Sequence, residues 1–112
     1  MARRVAGRWR IVEMDLWDRE SIDLVGPAFI EINSGGWGSF RLIAVESFID
    51  ARRVVLDDRP AVEFSWDGND EGDHVSGRGW ARLEADGSLR GHLFIHGGDD
   101  SGFVAVDADV SE

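Results

Sequence analysis

The chain contains no cysteine, no tyrosine and no lysine. Without cysteine there are no disulfides, no thiolate metal ligands and no cysteine nucleophile. The same absence fits a reducing compartment, so a cytoplasmic protein is expected. Without lysine, the permanent cations are 12 arginines, set against 22 aspartates and glutamates for a formal charge of −10. A chain so short of cations is a poor match for a phosphate backbone, and no nucleic-acid partner is expected. Long apolar runs are also missing: nothing approaches the ~18 residues of a membrane span. The segment Met1-Ala2-Arg3-Arg4-Val5-Ala6 has two arginines but no apolar stretch behind them, so neither a secretory signal nor a membrane partner is expected.

What remains is enough for one domain, residues 1–112. A chain of this length buries roughly 65% of its unfolded surface and needs no staple. Its aromatic residues are five Trp and six Phe. Apolar and polar residues alternate along most of it, cut by Gly and Asp turns, which is the pattern of half-buried strands. Strand signals cover 8–16, 28–32, 37–43, 47–56, 61–66, 74–83, 89–96 and 102–106, with a polar loop over 67–73. The period changes once, over Trp17–Gly26, where Asp18 is a candidate N-cap and Gly26-Pro27 a stop; a helix of about two turns is predicted there. The fold expected is all-β: an eight-stranded antiparallel meander closed into a barrel, with one short helix after the first strand. Closure buries the apolar face of a one-sided sheet and removes its edges.

Two hairpin registers can be laid out. If Asp86-Gly87 is a two-residue turn, Trp80 faces Leu93, Arg82 faces Gly91 and Arg78 faces Ile95. Trp80, Leu89, Leu93 and Ile95 then form the core face, and Gly77, Gly79 and Ala81 lie outside, opposite His96, Phe94 and His92. Around Asp57-Asp58-Arg59-Pro60, Val62, Phe64 and Trp66 line up with Val55, Arg53 and Ala51 on the apolar side. Glu63, Ser65 and Asp67 line up with Val54, Arg52 and Asp50 on the polar side, bringing Glu63 near Arg52. Period two from Trp9 puts Ile11 and Glu13 inside as well. A buried Glu13 needs a partner, and Arg53, Arg78 or Arg82 could supply one. Such a pair is either a polar anchor for a ligand head group or a structural ion pair.

The opening Gly7-Arg8-Trp9, followed by Glu13, a short helix and a meander, resembles the calycins, the superfamily of lipocalins and fatty-acid-binding proteins. The resemblance rests on Gly7 and Trp9 of a G-x-W motif and on a helix placed as in the fatty-acid-binding branch. The second lipocalin motif is absent and there is one helix instead of two. The resemblance implies that Trp9 seals one end of the barrel, covered by a late arginine: Arg78, Arg82 or Arg90, with Arg82 preferred. The chain is also similar to small acidic bacterial proteins that carry a segment like Trp66-Asp67-Gly68-Asn69-Asp70-Glu71 and a late Gly77-Arg78-Gly79-Trp80; no activity follows from that likeness.

Chemical motifs are sparse. Asp67, Asn69, Glu71 and Asp73 imitate the start of an EF-hand loop, but its twelfth position is Arg78 and the flanking helices are missing. They remain candidate metal ligands of low specificity, and an acidic hairpin loop with Asx-turns accounts for them better. His92 and His96 lie about 13 Å apart along one strand, too far to share an ion, although each could pair with Asp99, Asp100 or His74. No serine sits in a G-x-S-x-G setting, and Gly35-Gly36-Trp37-Gly38 opens no helix that could hold a phosphate. No cofactor is expected. The first expectation is a non-catalytic module holding a small apolar ligand in the barrel, lined by Trp9, Glu13, Arg53, Phe64, Trp66, Arg78, Trp80 and Arg82. The alternatives are an acidic module binding a basic protein partner, as monomer or homodimer, and a metal-dependent enzyme using residues 67–74 with His92 or His96.

Overall fold

The computed structural model describes residues 4–108. Eight antiparallel strands close in meander order into one barrel. They are β1 (Gly7–Met14), β2 (Phe29–Ile32), β3 (Trp37–Leu42), β4 (Val45–Leu56), β5 (Arg59–Asp70), β6 (Asp73–Leu83), β7 (Leu89–Ile95) and β8 (Asp100–Asp107), and α1 (Arg19–Ile22) follows β1. The architecture is compatible with a calycin-like fold. The helix is a single turn, shorter than the two predicted. Its start is set by Asp18, whose Oδ1 accepts the Ser21 N–H at 2.8 Å, an N-cap geometry. Among the described residues no helix is long and apolar enough to cross a membrane.

Alternation along the strands fills the barrel. Trp9, Ile11, Ile30, Phe40, Ile49, Phe64, Trp66, Leu89, Leu93 and Phe103 are all buried in one cluster. Each such side chain contributes roughly 1.5–3 kcal/mol by leaving water. Phe40 and Trp66 meet edge to face at 5.0 Å between centroids, while Phe64, Trp66 and Phe103 crowd against Gly79, Gly77 and Gly91. Glycine under a ring is a sheet device, but these glycines face inward, opposite to the expectation for Gly77 and Gly79.

The reversal comes from one residue of register. The β6–β7 loop has three residues: Glu84 N–H donates to the Ser88 carbonyl at 2.8 Å, and Gly87 takes a φ of 88°. That is a turn followed by a bulge glycine instead of a two-residue turn. Gly79 therefore pairs with Leu93 and Trp80 with His92. A one-residue slip moves every side chain to the opposite face, so Arg78, Trp80 and Arg82 lie on the outside. In the β4–β5 hairpin the faces are as predicted, but Leu56 pairs with Arg59, so the turn is Asp57-Asp58 alone and pairings shift by two. Arg52 sits directly opposite Glu63, and Arg53 opposite Val62.

A second irregularity lies in β1. Ile11 pairs with Ala105 and Glu13 with the adjacent Val104, so Val12 is an extra residue in a β-bulge. The bulge resets the parity of the strand. Trp9, Ile11 and Met14 are buried, whereas Glu13 is exposed and needs no buried partner.

Helix α1 lies at the end of the barrel formed by the β3–β4, β5–β6 and β7–β8 turns. Ile22 is buried there and its carbonyl accepts the Ile43 N–H at 2.9 Å. Asp23 ties the helix to its neighbours, accepting from Ala28 N–H at 2.8 Å, Arg10 Nη2 at 3.0 Å and Arg19 Nε at 3.2 Å. Burial pushes the Asp23 carboxyl up, but these donors outweigh it and hold the group below the usual carboxylate range.

Candidate functional site

The opposite end of the barrel is where Arg4, Val5 and Ala6, the β2–β3 loop and the β4–β5 hairpin converge. Trp9 closes the lumen here. It is 2% exposed, and its Nε1–H donates to the Val5 carbonyl at 2.8 Å. That bond draws Arg4, Val5 and Ala6 across the opening. Above them a cleft of about 500 Å³ runs between these residues, Asn33–Gly36 and the end of the β4–β5 hairpin. Its apolar surface includes Val5, Ile32, Val55 and Val62. The volume is within the ~300–1,000 Å³ of small-molecule sites.

Four arginines, Arg4, Arg52, Arg53 and Arg59, also line this cleft. Arg59 is engaged by Glu84 at 3.2 Å. Arg53 Nη2 donates to the Ser34 carbonyl at 3.3 Å. Arg4, Arg52 and Arg53 have no carboxylate partner among the described residues. Arg52 shares the outer face of β4 with Asp50 and stands opposite Glu63, so the guanidiniums offered at the opening are those of Arg4 and Arg53, with Asp58 on the same rim; guanidinium is suited to planar anions such as carboxylate, sulfonate or phosphate.

The residues predicted to line a ligand chamber scatter over three places. Trp9, Phe64 and Trp66 face the lumen, but their own rings occupy it. Arg53 is at the cleft. Arg78, Trp80, Arg82 and Glu13 are outside. Arg82 does not cover Trp9: its guanidinium pairs with Glu84 Oε2 at 2.7 Å and with Asp57, and lies over Trp80 at 5.6 Å. Arg78 lies over the Phe94 ring at 5.1 Å.

The segment predicted as a metal-binding loop is mostly strand. β5 runs to Asp70 and β6 begins at Asp73, leaving Glu71-Gly72 as a two-residue turn with φ of 52° and 91°. That is the primed turn favoured by hairpins. Asp67 and Asn69 share one face of β5, but Asp73 stands opposite Asp70 on the other face and Glu71 is in the turn, and Asp67 pairs with His74. His92 pairs with Asp100 at 2.6 Å. Among the described residues no three Asp, Glu or His side chains are grouped to hold a metal ion.

Reading the sequence missed Arg4, Arg52 and Arg59. The signal available was the spacing: Arg52-Arg53 and Arg59 flank the Asp57-Asp58 turn and so stand at one rim of the barrel. No protein-family model matches this chain, and no curated protein matches it.

Proposed function

We propose that this protein is a non-catalytic binding module that takes a small anionic amphiphile at the mouth of the barrel. The observation that carries this reading is the arginine-lined cleft: an apolar floor beside Arg4 and Arg53, neither with a carboxylate partner among the described residues. The ligand's apolar body rests on Val5, Ile32, Val55 and Val62, and its acidic head meets the guanidiniums. The calycin-like reading of Gly7 and Trp9 is kept in modified form. Trp9 acts as a plug, and the binding surface lies outside it, because Phe40, Phe64, Trp66 and Phe103 fill the interior.

Anilinonaphthalene sulfonate, an anionic aromatic probe, tests this. Its fluorescence should rise saturably with one site. Replacing Arg4 and Arg53 together by Ala should weaken it about tenfold, the loss of one to two charge-assisted contacts near solvent. An uncharged dye of similar size should bind more weakly than the sulfonate. Near-UV circular dichroism must stay unchanged, so that the probe reports the folded protein. Equal binding of charged and uncharged probes, or no effect of the double replacement, refutes the reading.

A further inference from the structure

The outer face of β3, β4 and β5 carries a second feature, independent of the mouth. Trp37 and Phe48 are 65% and 78% exposed, far more than aromatic side chains elsewhere in the described chain. They belong together. Trp37 pairs with Asp50, and Phe48 with Ser39, so the two rings are diagonal neighbours on one face, about 7 Å apart at their roots. Both line a single groove of about 380 Å³ with Asp50, Ser65, Asp67 and His96.

Carboxylates surround these rings. Asp67 is directly across from Phe48 on β5, and Asp50 and Glu46 are two residues to either side of it on β4, facing the same way. Asp50 and Glu46 have no ion-pair partner among the described residues, while Asp67 is matched by His74. Three arginines share this face: Arg41 lies across from Glu46 but donates to the Pro27 carbonyl, Arg52 follows Asp50 by two residues and stands opposite Glu63, and Arg78 is opposite Ser65 but lies over Phe94. An aromatic face attracts a cation through its quadrupole. Carboxylates beside it favour the same charge and repel the opposite one. Both therefore select one kind of guest, and the −10 charge of the whole chain steers it in.

We propose that this face docks an arginine-rich segment of a basic polypeptide, with Trp37 and Phe48 seating the guanidinium groups and Asp50 and Asp67 supplying the opposite charge. Titration calorimetry with a short arginine–glycine peptide tests it, with a glutamate–glycine peptide of equal length as the comparison. The arginine peptide should bind and weaken as sodium chloride is raised, and the glutamate peptide should not bind. Phe48→Ala and Asp50→Asn should each reduce affinity about threefold to fivefold, the range for an exposed cation–π contact. Both side chains are exposed, so thermal melting should confirm that each variant folds. The proposal is overturned if the arginine peptide fails to bind, if both peptides bind alike, or if neither variant changes affinity. It is also overturned if sedimentation shows that Phe48→Ala converts a dimer to a monomer, since the face would then be a contact between copies of the chain.

Discussion

Replacing Gly79 by Ala probes the packing that fills the barrel. A Cβ at this position would stand 2.6 Å from Cζ of Phe64 and 2.7 Å from the His92 carbonyl oxygen. Relaxed carbon contacts are about 3.5–4.0 Å, so the methyl overlaps the ring by roughly 1 Å. Phe64 is 5% exposed, and its ring is packed within the core. Overpacking of this kind costs about 1–3 kcal/mol. Taking about 2 kcal/mol, and about 4 °C per kcal/mol for a chain of this length, the melting temperature falls by roughly 8 °C. Urea unfolding followed by tryptophan emission measures the cost directly. Phe64→Leu removes the tip of the ring, and alone it should destabilise by about 1–2 kcal/mol through the space it leaves. Combined with Gly79→Ala, the loss should be smaller than the sum by about 1 kcal/mol, because the methyl then occupies part of that space. Rescue is partial, since the His92 carbonyl remains close. Gly35→Ala is the control: its nearest neighbour would be 3.6 Å away, and it should change stability by less than about 0.5 kcal/mol. If Gly79→Ala matches the parent protein, or the double replacement is strictly additive, the ring does not rest on this glycine and the β6–β7 register is wrong.

Two further outcomes follow from the ends of the barrel, beside the probe and peptide experiments above. Asp23 titrates below the usual carboxylate range in the folded chain, so its contribution is complete above the unfolded value and is lost as pH falls through the folded one. Asp23→Asn should cost about 1 kcal/mol at neutral pH, and the gap from the parent protein should close in strongly acidic solution, as urea midpoints across that range will show; a gap independent of pH contradicts the ion-pair role. Trp9→Phe keeps the plug but removes the bond to the Val5 carbonyl, and should cost about 1 kcal/mol. Hydrogen exchange around residues 4–6 should quicken and the sulfonate probe should bind less tightly; unchanged exchange would mean that the indole does not hold this segment.

The chain's local signals carried the strands, the turns and the order in which they occur. Asp57-Asp58 and Asp86-Gly87 mark hairpins, and alternation in Ala61–Trp66 sorts Val62, Phe64 and Trp66 from Glu63 and Ser65, whereas the polar run 67–73 reads as a loop and is strand but for Glu71-Gly72. Those faces hold even though the β4–β5 pairing is offset by two, because an even offset preserves parity. The β6–β7 hairpin shows the opposite case. Asp86-Gly87 suits either a two-residue loop or a three-residue loop with a bulge glycine, and the difference inverts Arg78, Trp80 and Arg82. Gly77, Gly79 and Ala81 on one face look too small for a core until Trp66 and Phe64 are seen to lie over the glycines. Glu13 was misplaced for a related reason: nothing in Arg10-Ile11-Val12-Glu13 marks Val12 as the extra residue, which only pairing with β8 reveals.

The sequence by itself determined an all-β chain of eight strands with one short N-capped helix after the first, because propensity, alternation and turn chemistry act over a few neighbours. Only the tertiary structure decided which face of β6 points inward, where β1 changes parity, and which charges meet. Arg4 is nearly fifty residues from Arg52 and Arg53 along the chain, and Trp37 meets Phe48 and Asp50 only across a paired strand. Closure of the barrel brings the arginines to one mouth and leaves the acidic aromatic face outside. The physical reason is the two-residue period of a strand, which makes the side of every group depend on a register set between strands.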